Sequence, residues 1–192
     1  MFSANSDAQK IAISEPWTKE QLLIAKPDQM IKRRGKLGLI KIKTDLNQGF
    51  SWIKEKMASP FTIGNTTGML RQFIMEPFVP HSDEDEMYCA IYATKTGDRI
   101  LFYHQGGVDV GDVDQKASFI DVDIDSMPTV EQISSLLKMV DCEKKKELIS
   151  SFLYELYVVY RNLYFTYMEI NPLVIKDGKV YVLDLAAKID QV

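Results

Sequence analysis

Asn171 and Asp184 flank Lys176-Asp177-Gly178-Lys179, a turn signal set between two apolar runs. If Asp177-Gly178 forms a symmetric hairpin turn, residues pair across it when their numbers sum to 355, which sets Asn171 opposite Asp184. Directly opposed residues hold their Cβ atoms roughly 4.5–5.5 Å apart, so an amide oxygen and a carboxylate placed there can meet one hard cation. Mg²⁺ suits such a pair, because it takes few protein oxygens and completes its octahedron with phosphates and water. Glu169 falls on the same face as Asn171 by the period of two. A solvent-facing strand would also display these three side chains together, and a G1 bulge at the turn would shift the register.

A second group of residues carries positive charge. Lys26 ends a short apolar run, and nine residues later Gly35 interrupts the cationic stretch Lys32-Arg33-Arg34-Gly35-Lys36. Lysine offers phosphate a point charge, arginine a planar fork, and glycine a backbone that can approach without a Cβ in the way. The same stretch also reads as a solvated basic loop. No GxxxxGK[ST] occurs, so phosphate binding by a P-loop is excluded.

Local signals give the elements that must position these groups. Leu22 to Lys26 reads as a strand, the alternation from Leu37 to Lys43 as a half-buried strand, and Asp45 to Met57 as a helix. Leu70 to Val79 is an extended run that ends at Pro80, and Met87 to Thr94 and Arg99 to His104 form a hairpin around Thr96-Gly97-Asp98. Thr129-Val-Glu-Gln has capping-box spacing for one helix, and a longer helix follows from about Glu143 to Asn162. Its Tyr154, Tyr157 and Tyr160, spaced i, i+3, read as packing residues. The C-terminal segment Tyr164 to Leu185 is a hairpin, in which Pro172 fits an edge or irregular strand. These elements predict an α+β chain with residues 1–17 as a lead-in, 18–77 as a small lobe and 78–192 as a large lobe.

Composition narrows the function classes. The 192 residues are 46% hydrophobic and 26% charged, the balance of an ordinary globular protein. A formal charge of −4 gives no general attraction to nucleic acid, and the apolar runs are too short to span a bilayer. Cys89 and Cys142 lack CxxC spacing, and no basic region followed by an apolar stretch opens the chain, so a reduced, cytoplasmic setting is expected.

Five segments carry a resemblance. Lys26-Pro-Asp-Gln-Met-Ile-Lys-Arg-Arg-Gly-Lys-Leu-Gly resembles the nucleotide loop of the ATP-grasp domain in succinyl-CoA synthetase β subunits and, more closely, in the ATP-citrate lyase family. Glu76-Pro-Phe-Val-Pro-His, Gly106-Gly-Val-Asp-Val-Gly-Asp-Val, Leu163-Tyr-Phe-Thr-Tyr-Met-Glu-Ile-Asn-Pro-Leu and Tyr181-Val-Leu-Asp-Leu-Ala-Ala-Lys are similar to that family in the same order, from about Trp17 onward. The resemblance implies an ATP-grasp fold, two α/β lobes with nucleotide between them, and ATP with Mg²⁺ as cofactors. It assigns Lys26, Arg34 and Gly35 to nucleotide phosphates, Glu76, Pro77, Phe78 and Val79 to the adenine pocket, and Glu86 to the ribose hydroxyls. It places Mg²⁺ on Asn171 and Asp184, the latter also counted among the nucleotide-binding residues, and has Glu169 orient an incoming histidine for phosphoryl transfer.

In that family the phosphoryl group passes to histidine and then citrate, and CoA captures the acyl group to yield acetyl-CoA and oxaloacetate. The 192 residues contain no counterpart of the family's citrate, CoA and phosphohistidine regions, and the family's N-terminal segment is shortened. Three readings follow: part of an enzyme, one half of a split enzyme whose phosphohistidine and CoA regions lie on a second polypeptide, or a nucleotide-binding regulator that pairs with a full-length homologue. His81 and His104 are set aside as surface or core-edge residues. Asp121-Val-Asp-Ile-Asp lacks the glycine and glutamate of a calcium loop and reads as an alternating strand, while Gly106-Gly107 with Asp109, Asp112 and Asp114 is kept as a site-proximal or interdomain loop.

Overall fold

The computed structural model describes the chain except for Met1, Ala4, Asn5, Lys32, residues 108–112, Gln191, Val192 and the side chain of Asp114. The basic stretch therefore loses Lys32, and Asp109, Asp112 and the Asp114 carboxylate lie outside the described residues. The chain divides into two compact units, Met1–Pro80 and His81–Val192.

In the first unit, α1 (Ala8–Ser14) is capped by the Asp7 carboxylate, and Phe2 bridges Phe73, so the expected lead-in folds with this unit. Strand β1 (Leu23–Pro27) lies between β2 (Lys41–Thr44) and β5 (Phe73–Pro77), with a small hairpin of β3 (Phe61–Ile63) and β4 (Thr66–Gly68) alongside in sequence. Helix α2 (Leu46–Met57) begins where Asp45 accepts the Gln48 amide at 2.9 Å, a cap that stabilises a helix by about 1 kcal/mol. Its Leu46 and Ile53 pack with Leu23, Ala25, Phe73 and Met75, and the Trp52 and Phe73 rings meet edge to face. Because strand side chains alternate, burying Leu23 and Ala25 against α2 turns Ile24 and Lys26 to the other face of β1.

The strand expected from Leu37 begins only at Lys41. Arg33 and Gly38 take positive φ values of 57° and 64°, and the amides of Leu37 and Leu39 return to the carbonyls of Arg33 and Arg34. That closed turn consumes the hydrogen bonds a strand would have needed, while Leu39 plugs into the core at 0% exposure and Leu37 packs against it half-buried.

The second unit is built on one six-stranded sheet of β6 (Glu86–Ala93), β7 (Gly97–Tyr103), β8 (Ser118–Asp123), β9 (Phe165–Lys176), β10 (Lys179–Val182) and β11 (Leu185–Ile189). Strand β9 pairs with β6 on one side and with β10 and β11 on the other. Helices α4 (Val130–Leu136) and α5 (Glu143–Asn162) cover one face, where Ile133, Leu136, Ile149, Leu153, Tyr157 and Tyr160 bury against β-strand residues such as Cys89, Ile91, Ile100 and Met168. The capping box at Thr129 is present in full. Tyr154 is 37% exposed, so the packing stripe of α5 holds Tyr157 and Tyr160 but leaves this member at the surface. On the opposite face of the sheet a smaller cluster joins Tyr88, Ala90 and Leu101 to Val113 and Ala117, at and just beyond the short α3 (Val113–Lys116).

Asp177 and Gly178 both adopt positive φ, 51° and 71°, the backbone of a two-residue hairpin turn. The pairs Lys179↔Lys176, Val182↔Leu173, Leu185↔Ile170 and Lys188↔Tyr167 all obey the sum of 355, and the register slips only beyond them at Ile189. Pro172 does not lie on an edge. It sits in the central β9, where residues 171 and 172 together face the interval between Cys89 and Met87 of β6, a bulge that accommodates a residue without an N–H.

Candidate functional site

Within the first unit, Lys26 and Glu76 occupy neighbouring strands on the face of the sheet turned away from α2. Lys26 stands opposite Ile74 and Glu76 opposite Ile24, so the two charged side chains meet diagonally, Nζ 2.8 Å from Oε2. The lysine is only 4% exposed. Glu76, expected only as part of an adenine-lining segment, is therefore also the carboxylate that stabilises a buried ammonium. The Arg34 guanidinium donates to the Pro27 carbonyl at 2.7 Å, which ties the turn to the end of β1. Gly35 lies exposed in that turn, with its carbonyl accepting the Gly38 amide. Along the segment Glu76 to Val79, Pro77 has no N–H and the Phe78 amide is committed to the Leu22 carbonyl at 2.8 Å. Lys43 lies over the Phe78 ring, 5.5 Å from its centroid.

Within the second unit, Asn171 donates its backbone N–H to the Asp184 carbonyl at 3.1 Å, and Leu183 donates to the Pro172 carbonyl at 3.1 Å. Asn171 and Asp184 are thus opposed as the turn arithmetic requires, at the break between β10 and β11. Glu169 pairs with Ala90 and Ala186, on the face of the sheet opposite α4 and α5, and its Oε2 accepts from the Tyr167 hydroxyl. Both Asn171 and Asp184 are half-buried and supply hard oxygen donors of the type Mg²⁺ prefers, one amide and one carboxylate. Among the described residues no group of three or more His, Cys, Asp and Glu side chains is arranged to enclose a metal. The donor set fits an ion held by few protein groups and completed by ligand oxygens.

Two neighbours carry contacts that the sequence did not specify. His81, set aside above, places Nε2 3.2 Å from Oε1 of Glu86, both side chains less than one-fifth exposed. Burial pushes the Glu86 carboxyl above its ordinary value, and the hydrogen bond from His81 opposes that shift. Gly107 is the other: its N–H donates to Asn171 Oδ1 at 2.7 Å, and a Cβ added to it would lie 1.9 Å from Glu86 Oε2. Gly106 is equally confined, since its Cβ would fall 2.4 Å from the Met87 carbonyl. The glycine pair thus sits at the site, with Gly107 touching both the Glu86 carboxylate and the Asn171 amide. His104 and its neighbour Tyr103 form an edge-on ring pair.

Comparison with known proteins bears on the whole chain. A family profile for the ATP-citrate synthase ATP-grasp domain matches residues 1–192. The chain belongs to this family. It is 50% identical over 186 residues to ATP-citrate synthase of Bos taurus, covering 97% of this chain and 17% of the bovine protein. It is 44% identical to the probable ATP-citrate synthase subunit 2 of Schizosaccharomyces pombe, covering 95% of this chain and 38% of that subunit. Among solved structures, ATP citrate lyase from Methanothrix soehngenii, in complex with citrate and coenzyme A, matches with a TM-score of 0.85 and 34% identity over 98% of this chain and 43% of that one. The ATP-grasp fold follows from this family membership, and the chain spans less than half the length of each of these relatives. No described helix is long and apolar enough to cross a membrane.

Proposed function

We propose that this chain binds Mg·ATP as the ATP-grasp module of an ATP-citrate-lyase-like enzyme. The observation that carries the reading is the opposition of Asn171 and Asp184 across a hairpin whose register is fixed by Asp177-Gly178. Asn171 and Asp184 would hold Mg²⁺, while Lys26, Arg34 and Gly35 would meet the phosphates and Glu76, Pro77, Phe78 and Val79 the base. Glu86 would take the ribose hydroxyls, and Glu169 would orient a phosphoryl acceptor. Phosphoryl transfer asks mainly for positioning and charge neutralisation, and cationic side chains with one metal supply both. Held by Asn171 and Asp184, Mg²⁺ would supply positive charge to offset the negative charge that develops on the phosphate.

The acceptor histidine, citrate and CoA groups belong to a longer assembly. The match to a protein described as subunit 2 supports a two-chain arrangement, in which the phosphohistidine and CoA regions reside on a partner polypeptide. A nucleotide-binding regulator of a full-length homologue is the competing reading. A cytoplasmic setting, with acetyl-CoA as the eventual product, accompanies the enzymatic one.

Calorimetric titration of the isolated chain with ATP, with and without Mg²⁺, tests the binding reading. Saturable, Mg²⁺-dependent binding that weakens at least about tenfold in Asp184→Ala is expected, the loss of one charged contact. Equal affinity in wild type and variant would sink the metal assignment. Citrate- and CoA-dependent ATP turnover on adding a co-purifying chain would favour the split enzyme over the regulator.

A further inference from the structure

Asn171 carries an amide whose oxygen and nitrogen ends are nearly isosteric, so its usefulness to a cation depends on which end faces it. Asn171 has its backbone N–H fixed by the Asp184 carbonyl. Its side chain is fixed from elsewhere. Gly107, 64 residues earlier in the chain, donates its N–H to Oδ1 at 2.7 Å. A backbone donor can pair only with the oxygen end, which sets the amide's orientation and leaves the second lone pair of Oδ1 for another partner.

The donor is itself held in place. Gly107 is buried, takes φ +87°, and has its Cα against the Glu86 carboxylate, which His81 holds at 3.2 Å. Gly106 is pressed against the Met87 backbone at the start of β6. An alanine at 107 meets both a disfavoured φ and a carboxylate oxygen 1.9 Å from its Cβ.

We propose that Gly107 is a positioning residue that orients the Asn171 amide oxygen toward the cation of a bound Mg·nucleotide. The proposal rests on the reading of Asn171 as a metal ligand. Groups that orient ligands from behind typically change metal affinity about tenfold to hundredfold when removed.

Two measurements on the 192-residue chain decide it. By amide hydrogen exchange, the Gly107 N–H of the ligand-free wild type is expected to be protected, and Asn171→Ala to abolish that protection while β9 amides keep theirs. By calorimetry, the ratio of ATP dissociation constants without and with Mg²⁺ is expected to fall about tenfold or more in Gly107→Ala. Asn171→Ala should remove the Mg²⁺ dependence, and the double variant should lose nothing further. If Gly107→Ala merely displaces Glu86, both dissociation constants rise together and the ratio stays fixed, which overturns the proposal. Unchanged Gly107 exchange in Asn171→Ala overturns it too, and this comparison decides the matter if Gly107→Ala does not fold. A wild type that binds ATP equally well without Mg²⁺ overturns the metal role of Asn171 itself, and the exchange data then report separately on the tether.

Discussion

Lys26 Nζ lies 2.8 Å from Glu76 Oε2, and the lysine is nearly withdrawn from water while its partner remains 40% exposed. The ammonium is therefore held by protein charge at one end of an otherwise apolar strand. A cation kept in place this way loses little side-chain freedom when an anionic ligand arrives.

This burial gives Lys26→Ala two effects. Removing the buried stem leaves a void, at a cost of about 2 kcal/mol or more in stability, while the half-exposed Glu76 turns to water. Lys26→Met keeps the stem and should recover part of that loss. Both variants should bind Mg·ATP at least about tenfold more weakly, the loss of a charge-assisted contact. Urea unfolding and calorimetry separate the two effects; Lys26→Met with wild-type affinity would remove Lys26 from the phosphate site.

Glu86 sets a pH dependence. Its folded-state carboxyl is raised above 4.5, chiefly by burial. A raised carboxyl binds its proton more tightly in the folded chain than in the unfolded one, so its contribution to stability is full below pH 4.5 and declines as pH rises through the folded value. Glu86→Gln removes the buried charge. It should therefore melt at or above the wild-type temperature at pH 7, and that difference should vanish as pH falls through 4.5. If Glu86 meets the ribose, the same variant should also bind ATP more weakly. A Glu86→Gln variant clearly less stable than wild type at pH 7 would mean that the His81 contact outweighs burial.

The cysteines should differ in reactivity. Cys89 lies fully buried in β6, and burial, with the Glu169 carboxylate adding to it, pushes its thiol up to about 12. Cys142 is exposed just before α5. Because the thiolate is the reactive form, an aromatic disulfide reagent at pH 8 should titrate Cys142 rapidly in the folded chain and reach Cys89 only after denaturant is added. Rapid modification of both thiols without denaturant would mean that the sheet opens at β6.

Much of the architecture was written locally. The bounds of α5, the capping box at Thr129 and the turn at Asp177-Gly178 depend on residues within a few positions of one another, and a two-residue turn then carries its register along both strands to Asn171 and Asp184. Hairpin geometry made that part of the candidate site legible before any folding.

Tertiary structure decided the rest. The failure of the Leu37 alternation to start a strand depends on a turn closed by Arg33 and Gly38. The place of Pro172 in a central strand depends on how β6 runs past it. The pairing of Lys26 with Glu76 requires two strands fifty residues apart to become neighbours, and Gly107 reaches Asn171 only because β7 and β9 both flank β6. Periodicity tells which face a side chain takes, but not which distant donor meets it there; that choice belongs to strand order and to the requirement that buried polar groups find partners.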